Sequence, residues 1–310
     1  MPLNIVFMGT PDFAVPCLAR LLADGHRLPA VFSQPDKPRG RGYTLTPPSV
    51  KQLALEHAIP VYQPAGLRDG QALSILRELA PDLIVVVAYG KILPPAILEL
   101  PALGCVNVHA SLLPELRGAA PIQWSVINGD TRTGITTMFM AEGLDTGDII
   151  LQRETSIGPE ETAGELFDRL SLLGAQCLAE TLPLLSGGQA PRMPQDDTRA
   201  TYAPMIDKSV CAIDFTKSAQ AICNLVRGLN PAPCAHTHLE GRLLKIHKAR
   251  PVDACSGEAG ALLDTKRLIV GCGDGAVELL TVQPEGKRAM DGAAFACGRK
   301  LVGGGKFTVA

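Results

Sequence analysis

Apolar runs and helix-like apolar spacings alternate along the first 185 residues of the chain. The clearest run is the Ile- and Val-rich segment 83–88, which is typical of a strand buried on both faces of a parallel sheet. After the first strand, Thr10-Pro11-Asp12 offers residues that favour the start of a helix. This alternation predicts an α/β fold with a doubly wound, Rossmann-like open sheet.

The same pattern sets the approximate bounds of each element. Strands are predicted at 3–8, 28–33, 83–88, 104–109, 135–140 and 149–154. Helices are predicted at 13–23, 49–57, 72–80, 122–128 and 161–185, the last of them with leucines at helical spacing.

The pattern changes after residue 186. Glycines, prolines and polar residues dominate up to residue 207, which predicts a linker over 189–207. A helix at 217–227 then precedes short strands at 235–239, 243–249, 260–263, 267–270 and 276–282, which glycine-rich turns separate. Short strands of this kind predict a small, OB-like β-barrel. We therefore expect a Rossmann-like domain over 1–188 and an OB-like domain over 208–310.

One loop of the first domain is long and basic. Residues 34–48 hold four prolines, two glycines and the cations Lys37, Arg39 and Arg41. Loops of this length without secondary structure are usually functional or disordered. This loop is therefore a candidate for a functional role.

Composition narrows the class of protein. Apolar residues make up 46% of the chain, and the first residues form a strand-like segment without a basic region, which argues against a secretory signal. The densest apolar run, 83–88, is far shorter than the roughly 20 residues that span a bilayer. Nine scattered cysteines without Cys-x-x-Cys spacing are typical of reduced thiols. These features favour a cytoplasmic protein with no membrane partner.

Charge is distributed unevenly between the two predicted domains. Residues 1–207 hold 15 Lys and Arg against 22 Asp and Glu, a net charge of −7, whereas residues 208–310 hold 14 against 9, a net charge of +5. A basic module on an acidic body indicates a polyanionic partner. Ordinary variation in surface charge is the alternative.

Two polar residues interrupt a strand that is otherwise predicted to be buried. Asn107 and His109 lie two residues apart, so both side chains point to one face of the strand. Burying an amide beside an imidazole costs free energy unless both are hydrogen-bonded or used. Open α/β sheets bind ligands at the carboxyl ends of their strands. The two residues form either a structural pair or part of a site.

A glycine-bracketed loop, Gly143-Leu-Asp-Thr-Gly-Asp148, could bring a carboxylate to the same place. Asp145 would then orient His109; otherwise it is a turn aspartate, which is common. An aspartic protease would need two such loops, and this chain has one. Patterns for a serine hydrolase, a dinucleotide site and a phosphate loop are missing. Cys234, His236 and His238 share one strand face without a fourth nearby ligand, so we expect no metal.

Three successive segments identify a family. Asn107-Val-His-Ala-Ser-Leu-Leu-Pro114, Arg117-Gly-Ala-Ala-Pro-Ile-Gln-Trp124 and Gly143-Leu-Asp-Thr-Gly-Asp148 together resemble the signature of the folate-dependent formyltransferases. Other segments resemble the branch of that family that acts on methionyl-tRNA: Met8-Gly-Thr-Pro-Asp-Phe-Ala14, Gln34-Pro-Asp-Lys-Pro-Arg-Gly-Arg-Gly42, Val87-Ala-Tyr-Gly-Lys-Ile-Leu-Pro94 and Asn230-Pro-Ala-Pro233. The resemblance covers the whole chain.

The resemblance implies a reaction and its substrates. The co-substrate would be 10-formyltetrahydrofolate, and the acceptor would be the α-amino group of methionine on initiator methionyl-tRNA. The product, formylmethionyl-tRNA, serves translation initiation. The OB-like domain would bind tRNA, no metal would be needed, and we expect a monomer.

The resemblance also implies roles for individual residues. Asn107, His109 and Asp145 match the catalytic trio of the family. The residues that match the folate-lining segments are Tyr89, Gly90, Ser111, Leu112, Leu113 and Pro114. Because the 34–48 loop is basic and near the predicted site, we expect Lys37, Arg39 and Arg41 to grip the acceptor end of the tRNA.

These roles agree with the chemistry of formyl transfer. An amine attacks an amide-like carbonyl and builds a tetrahedral centre with a negative oxygen. Asn107 and a protonated His109 can donate hydrogen bonds to that oxygen. Asp145 can orient His109 and accept the proton of the amine.

Three other functions stay open at this point. Relatives that formylate a small-molecule amine share the Asn, His and Asp trio. A hydrolase of 10-formyltetrahydrofolate is the second alternative. A non-catalytic RNA-binding protein on the same scaffold would have no need of the trio.

Overall fold

The structure is a computed structural model that describes residues 2–39, 44–252, 257–299 and 305–308. The helices are α1 (Val15–Ala23), α2 (Ser49–Glu56), α3 (Gln71–Leu79), α4 (Pro95–Leu98), α5 (Pro121–Asn128), α6 (Ala163–Ser186), α7 (Ala219–Gly228) and α8 (Gly292–Arg299), with 3₁₀ turns at Asp12–Ala14 and Asp197–Arg199. The strands are β1 (Asn4–Gly9), β2 (Arg27–Phe32), β3 (Lys37–Arg39), β4 (Thr44–Thr46), β5 (Val61–Tyr62), β6 (Leu83–Val87), β7 (Cys105–His109), β8 (Arg117–Gly118), β9 (Arg132–Phe139), β10 (Ile149–Ser156), β11 (Tyr202–Ala203), β12 (Ala235–Leu239), β13 (Arg242–Val252), β14 (Leu262–Asp264), β15 (Ile269–Gly271), β16 (Ala276–Pro284), β17 (Met290–Asp291) and β18 (Phe307–Thr308).

The first sheet is an open, mainly parallel sheet. Within the described residues its seven strands follow the order β10-β9-β7-β6-β1-β2-β5. β1 pairs in parallel with β2 and β6, β6 with β7, and β2 with β5, whereas β9 runs antiparallel to β7. Every residue of β6 is buried, as expected where both faces of a parallel sheet are covered. The predicted α/β class with a Rossmann-like sheet is confirmed.

The chain order of this sheet reverses between β1 and β6. From β1 the chain adds β2 and β5 on one side and then returns to add β6 and β7 on the other. The carboxyl ends of β1 and β6 therefore form a topological switch point, where open α/β sheets bind their ligands. Thr10 follows β1 at this point, and its hydroxyl donates to the carbonyl of Tyr89, which follows β6 (3.2 Å).

The predicted elements are all present, with bounds that agree to within three residues. Several short elements, such as the two-residue strands β5 and β8, were not predicted, because so few residues carry no usable periodicity. Helix α8 was not predicted either. Its sequence is rich in Gly and Ala and presents few apolar residues at helical spacing.

Helix α6 begins later than its apolar pattern suggests because of a capping box. The amide of Glu165 donates to the hydroxyl oxygen of Thr162 (3.2 Å), and the amide of Thr162 donates to the carboxylate of Glu165 (2.9 Å). At 24 residues, α6 is the longest of the helices given above. No helix in the described part of the chain has both the length and the apolar content needed to cross a membrane.

The basic 34–48 loop has secondary structure, where the sequence predicted none. β3 and β4 form an antiparallel hairpin with Lys37 opposite Thr46 and Pro38 opposite Leu45. Pro38 lacks an amide hydrogen, and a two-stranded ribbon tolerates it because each of its strands is an edge. Asp36, directly before β3, accepts from the ammonium of Lys51, which also donates to the side chain of Gln63.

The second sheet is antiparallel and barrel-like. Its described strands follow the order β14-β15-β16-β13-β12-β18, and β17 pairs with β16. The inward residues of β12 alternate with partly exposed ones, as Ala235, Thr237 and Leu239 are buried. Helix α7 supplies Ile222 and Val226 to the same apolar core. The predicted C-terminal β-barrel is confirmed as a barrel-like antiparallel sheet.

The described residues group into two compact units. Unit 1 holds Met1–Pro121, Thr133–Ser156 and Phe167–Ala203, and unit 2 holds Ile122–Arg132, Ile157–Leu166 and Pro204–Ala310. The segment 189–207, predicted as a linker, contains β11, which pairs in parallel with β8, and Met193, which bridges to Ile149. The domain bounds at 188 and 208 stay a prediction.

The start of α8 provides a test of barrel packing. A Cβ on Gly292 would lie 1.8 Å from the carbonyl oxygen of Leu279, whereas a Cβ on Gly298 would meet nothing within 4 Å. We expect Gly292→Ala to lower the free energy of unfolding by about 1 to 3 kcal/mol. Gly298→Ala, in the same helix, should leave it unchanged or raise it by up to about 1 kcal/mol. Urea unfolding followed by circular dichroism checks this, and equal midpoints for the two variants would contradict the packing described here.

Candidate active site

Strand β7 places Asn107 and His109 on one face in the middle of the first sheet. β7 lies between β6 and β9, with Asn107 opposite Val86 on one side and Met138 on the other. Asn107 is partly exposed and His109 is buried. The predicted strand parity is therefore realised, and the two polar side chains lie side by side as the sequence suggested.

The Asp145 carboxylate meets both of these side chains. The Asn107 amide nitrogen Nδ2 donates to Asp145 Oδ1 at 3.3 Å, and His109 Nδ1 lies 3.7 Å from Asp145 Oδ2. The backbone amide of Gly118 donates to the same Oδ2 at 2.8 Å. The structure thus brings together the three residues that were predicted as a trio, and β8 adds a backbone donor to them.

The other nitrogen of the His109 ring is fixed by the backbone. His109 Nε2 lies 3.0 Å from the carbonyl oxygen of Leu116. Since a carbonyl only accepts, Nε2 carries a hydrogen in this contact. The nitrogen that faces Asp145 is therefore Nδ1. The sequence predicted that Asp145 would orient His109, and the structure adds Leu116 as a second contact that sets the ring.

The loop that carries Asp145 has an uncommon backbone. Asp145 has a φ of 52°, in the left-handed region, which costs an L residue about 1 to 2 kcal/mol, although Asp tolerates it better than most. A Cβ on Gly147 would lie 1.7 Å from the carbonyl oxygen of Phe139. Gly147 therefore lets the loop pack closely on the end of β9.

The backbone of the Asp145 loop is hydrogen-bonded to Gln195, which is in turn hydrogen-bonded to Arg117. Gln195 Nε2 donates to the carbonyl oxygens of Asp145 and Gly147, both at 2.8 Å. Gln195 Oε1 accepts from Arg117 Nε at 3.1 Å and from Nη2 at 2.8 Å. Arg117 is only 2% exposed and also donates to Asp197 at 2.8 Å.

Sequence reasoning missed Gln195 because it lies in the segment predicted as a linker. It is 50 residues away from Asp145 in the chain, and no periodicity connects the two. Arg117 was visible only as a member of the second family-like segment, without a role.

The predicted folate residue Tyr89 contributes a buried ring. Tyr89 is 1% exposed and packs with Leu67, Leu93 and Ile97, and burial raises its pKa to about 12. Its carbonyl oxygen accepts from the Gln34 side chain at 3.0 Å. Because the ring is buried, a ligand bound beside Tyr89 would contact the backbone of this residue rather than its ring.

The predicted folate residues at 111–114 form a braced turn. The Ser111 hydroxyl donates to the carbonyl oxygen of Glu115 at 2.6 Å, and the Leu113 amide donates to Thr136 Oγ1 at 3.2 Å. Ser111 and Leu113 are buried, whereas Leu112 and Pro114 are partly exposed. The last two are therefore the members of this turn that a ligand can reach.

Two clefts of unit 1 lie near the predicted residues. A cleft of about 420 Å³ is lined by Leu67, Arg68, Gly70, Leu73, Ile92, Leu93, Pro94, Pro95, Ala96 and Glu142. Glu142 belongs to the same loop as Asp145. A second cleft of about 250 Å³ lies at the hairpin and includes Thr10, Gln34 and Lys37 in its lining. The sequence identified neither cleft.

Of the three residues predicted to bind tRNA, Lys37 and Arg39 lie within the described part of the chain and Arg41 does not. Lys37 is exposed at the start of β3. Arg39 ends β3. Among the residues that are described, no group of three His, Cys, Asp or Glu side chains could hold a metal ion.

Comparisons with known proteins decide the family. Residues 3–182 match the family described as formyl transferase, and residues 205–300 match the C-terminal domain of formyl transferases. The chain belongs to the formyl transferase family. It is 50% identical to the methionyl-tRNA formyltransferase of Geobacter metallireducens over 96% of each chain. It is also 50% identical to the enzyme of that name from Moorella thermoacetica, over 97% of this chain and 98% of the other.

Solved structures of other formyl transferases and of HypX share the fold. An N-formyltransferase of Helicobacter canadensis, in complex with folinic acid and dTDP-3-aminofucose, matches with a TM-score of 0.70 and 19% identity, over 91% of this chain and 99% of that one. HypX of Aquifex aeolicus in complex with tetrahydrofolic acid matches with a TM-score of 0.66 and 15% identity, over 95% of this chain and 47% of that one.

Removing Arg117 tests the support of the Asp145 loop. We expect Arg117→Ala to lower the free energy of unfolding by about 2 to 3 kcal/mol, because it removes a buried guanidinium and leaves Gln195 Oε1 without its donors. Arg199→Ala is the control, because the Arg199 side chain is 68% exposed and its ion pair is long, with Nη2 3.9 Å from Glu115 Oε1. It should change the free energy by less than about 0.5 kcal/mol. Thermal and urea unfolding measure both, and equal losses would contradict a special role for Arg117.

Proposed function

We propose that this protein transfers the formyl group of 10-formyltetrahydrofolate to the α-amino group of methionine on initiator methionyl-tRNA. The observation that carries the proposal is the convergence of Asn107 and His109 on the single carboxylate of Asp145. The reaction is supported by membership of the formyl transferase family. The acceptor is supported by relatives of 50% identity that are named methionyl-tRNA formyltransferase.

Asp145 serves as the proton acceptor in this proposal. The amine nitrogen attacks the formyl carbon, the carbonyl electrons move onto oxygen, and the proton of the amine passes to Asp145 directly or through one water. When the bond from the formyl carbon to N10 breaks, that proton goes to N10 and tetrahydrofolate leaves. Oδ2 is occupied by the Gly118 amide, whereas Oδ1 has the longer contact to Asn107. Oδ1 is therefore the oxygen better suited to take the proton.

Asn107 and His109 stabilise the negative oxygen of the tetrahedral centre. The Asn107 contact to Asp145 is long at 3.3 Å, so its amide can turn toward the developing oxygen at little cost. His109 Nε2 is committed to Leu116, which leaves Nδ1 of the protonated ring as the donor. Contacts in a site without substrate are commonly longer than in the reacting complex.

The apolar cleft beside the Asp145 loop is suited to the folate. Its volume of about 420 Å³ lies within the usual range for small-molecule sites. Ile92, in the wall of the cleft, is 73% exposed and lies two residues after Gly90 in the chain. We assign folate contacts to the backbone of Tyr89 and Gly90, to this cleft, and to the 111–114 turn through Leu112 and Pro114.

The tRNA is bound by the basic loop and the barrel. Lys37 and Arg39 lie in β3 of the β3–β4 hairpin, which also borders the 250 Å³ cleft at Thr10. Arg41 follows β3 in the sequence and lies outside the described residues. Residues 208–310 carry a net charge of +5. We propose that the hairpin contacts the acceptor end and that the OB-like domain, at 208–310, contacts the body of the tRNA. The compartment and assembly expected from the sequence are a cytoplasmic monomer.

Substitution of the trio tests the mechanism. Asn107→Ala and His109→Ala each remove a donor to the oxyanion, so we expect kcat for methionyl-tRNA formylation to fall by about 100- to 1,000-fold. Asp145→Asn keeps the shape and removes the proton acceptor, so it should have at least the same effect. His57→Ala is the control, because His57 is exposed at the end of α2. Turnover near that of the unchanged protein in any trio variant would refute the assignment.

The choice of acceptor is tested with the unchanged protein. It is given 10-formyltetrahydrofolate with methionyl-tRNA, with a small amine such as an amino sugar nucleotide, or with water alone. The proposal requires formylmethionyl-tRNA to form fastest. Formylation of the small amine or release of formate at a greater rate would replace it with one of the other two functions.

The hairpin is tested by the salt dependence of tRNA binding. Lys37→Ala, Arg39→Ala and Arg41→Ala should each raise KM for methionyl-tRNA and reduce the slope of log KM against log salt by roughly one phosphate contact. Arg77→Ala, an exposed cation on α3, is the control. The proposal fails if the hairpin variants and the control show the same KM and slope.

A further inference from the structure

We propose that Gln195 is a positioning residue for the reaction and holds the Asp145 carboxylate in place. This inference rests on the proposed function, because it assigns Gln195 to the site that carries out formyl transfer. Gln195 touches no reacting atom in this assignment and acts through the backbone on either side of Asp145.

The side-chain amide of Gln195 can hold the Asp145 loop because its nitrogen donates two hydrogen bonds. Its Nε2 supplies hydrogen bonds to the carbonyl oxygens of Asp145 and Gly147 at equal distances of 2.8 Å. Between these two carbonyls the chain makes a turn in which Asp145 has a left-handed φ of 52°. A double donor that bridges the turn keeps it closed, so the side chain of Asp145 keeps its direction toward Asn107 and His109.

Arg117 determines which way the Gln195 amide faces. A side-chain amide can be turned by half a rotation, which exchanges its donor and acceptor ends. The Arg117 guanidinium donates twice to Oε1, at 2.8 and 3.1 Å, and a guanidinium cannot accept. Oε1 must therefore face Arg117, and Nε2 must face the Asp145 loop.

The residues that follow Gln195 support the other contacts of the site. The Thr201 hydroxyl accepts from the amide of Leu116 at 2.8 Å, and the Thr201 carbonyl accepts from the amide of Arg117 at 2.9 Å. Ala203 then pairs with Gly118. Leu116 is the acceptor for His109, and Gly118 is the donor to Asp145. The segment 195–203 therefore supports the hydrogen-bond partners of His109 and of the Asp145 side chain, as well as the Asp145 loop itself.

The kinetic test compares substitutions at Gln195 with the same substitutions at Gln189. Gln195→Glu keeps the size and the contact to Arg117 but replaces Nε2 with an oxygen that faces the two carbonyls, and Gln195→Ala removes the side chain. Both should lower kcat by roughly 10- to 100-fold, since a small misplacement of a catalytic group has effects of this size. KM for both substrates should stay within about two-fold, because substrate contacts are retained. Gln189→Glu and Gln189→Ala, at an exposed position of the same segment, should match the unchanged protein.

A double variant distinguishes positioning from general stability. If Gln195 acts through Asp145, Gln195→Ala should reduce kcat little further once Asp145→Asn is present. A full additional 10- to 100-fold loss in the double variant would overturn the proposal, and so would a raised KM with unchanged kcat in Gln195→Ala.

Hydrogen exchange, measured without substrate, tests the role of Gln195 whichever acceptor the protein uses. Hydrogen exchange of the peptides that cover 117–119 and 143–147 should be faster in Gln195→Ala and Gln195→Glu than in the Gln189 variants. Equal exchange in all four variants would overturn the positioning role. If the unchanged protein fails to formylate methionyl-tRNA, the proposed function falls, and this comparison still decides whether Gln195 holds the loop.

Discussion

The structure of the site depends on one constraint, the placement of a nearly buried carboxylate. The Asp145 side chain is 10% exposed, and a charged group with so little water needs hydrogen bonds from the protein. Gly118 supplies one from the backbone of β8, Asn107 supplies a longer one from β7, and the His109 ring faces the same oxygen as Gly118. Strand β7, strand β8 and the loop after β9 must therefore all hold their relative positions for the carboxylate to be stable in this place.

Strand periodicity made half of this arrangement predictable. Side chains two residues apart in a strand share a face, so Asn107 and His109 could be paired from the sequence alone. The Ile/Val-rich run before them identified the buried parallel sheet, and the structure agrees. Asp145 was suggested by its glycine-bracketed loop. Its approach to Asn107 spans 38 residues, so the resemblance to a family was needed to connect them.

The supporting residues could not be predicted, for a physical reason. Gln195 makes its contacts across 50 and 78 residues of sequence, and it lies among prolines and polar residues that have no apolar period. A segment of this kind looks like a linker because nothing in it signals burial. It is ordered here by hydrogen bonds to β8 and to the Asp145 loop. Such bonds depend on where other parts of the chain lie, and a local pattern carries no record of them.

The positions of the charged groups also agree with the proposed role of Asp145 as a proton acceptor. A guanidinium bound directly to a carboxylate favours its charged form and makes it a poorer proton acceptor. Arg117 is buried close to the loop, but its hydrogen bonds go to Gln195 and Asp197. The neutral amide of Gln195 stands between the cation and the Asp145 backbone. Gly118 at the side chain and Gln195 at the carbonyl are neutral donors to Asp145, so in the proposed mechanism the positive charge beside the carboxylate is that of the His109 ring, 3.7 Å away. The Gln195 amide therefore links the Asp145 loop to the buried Arg117 without placing the guanidinium charge on the carboxylate.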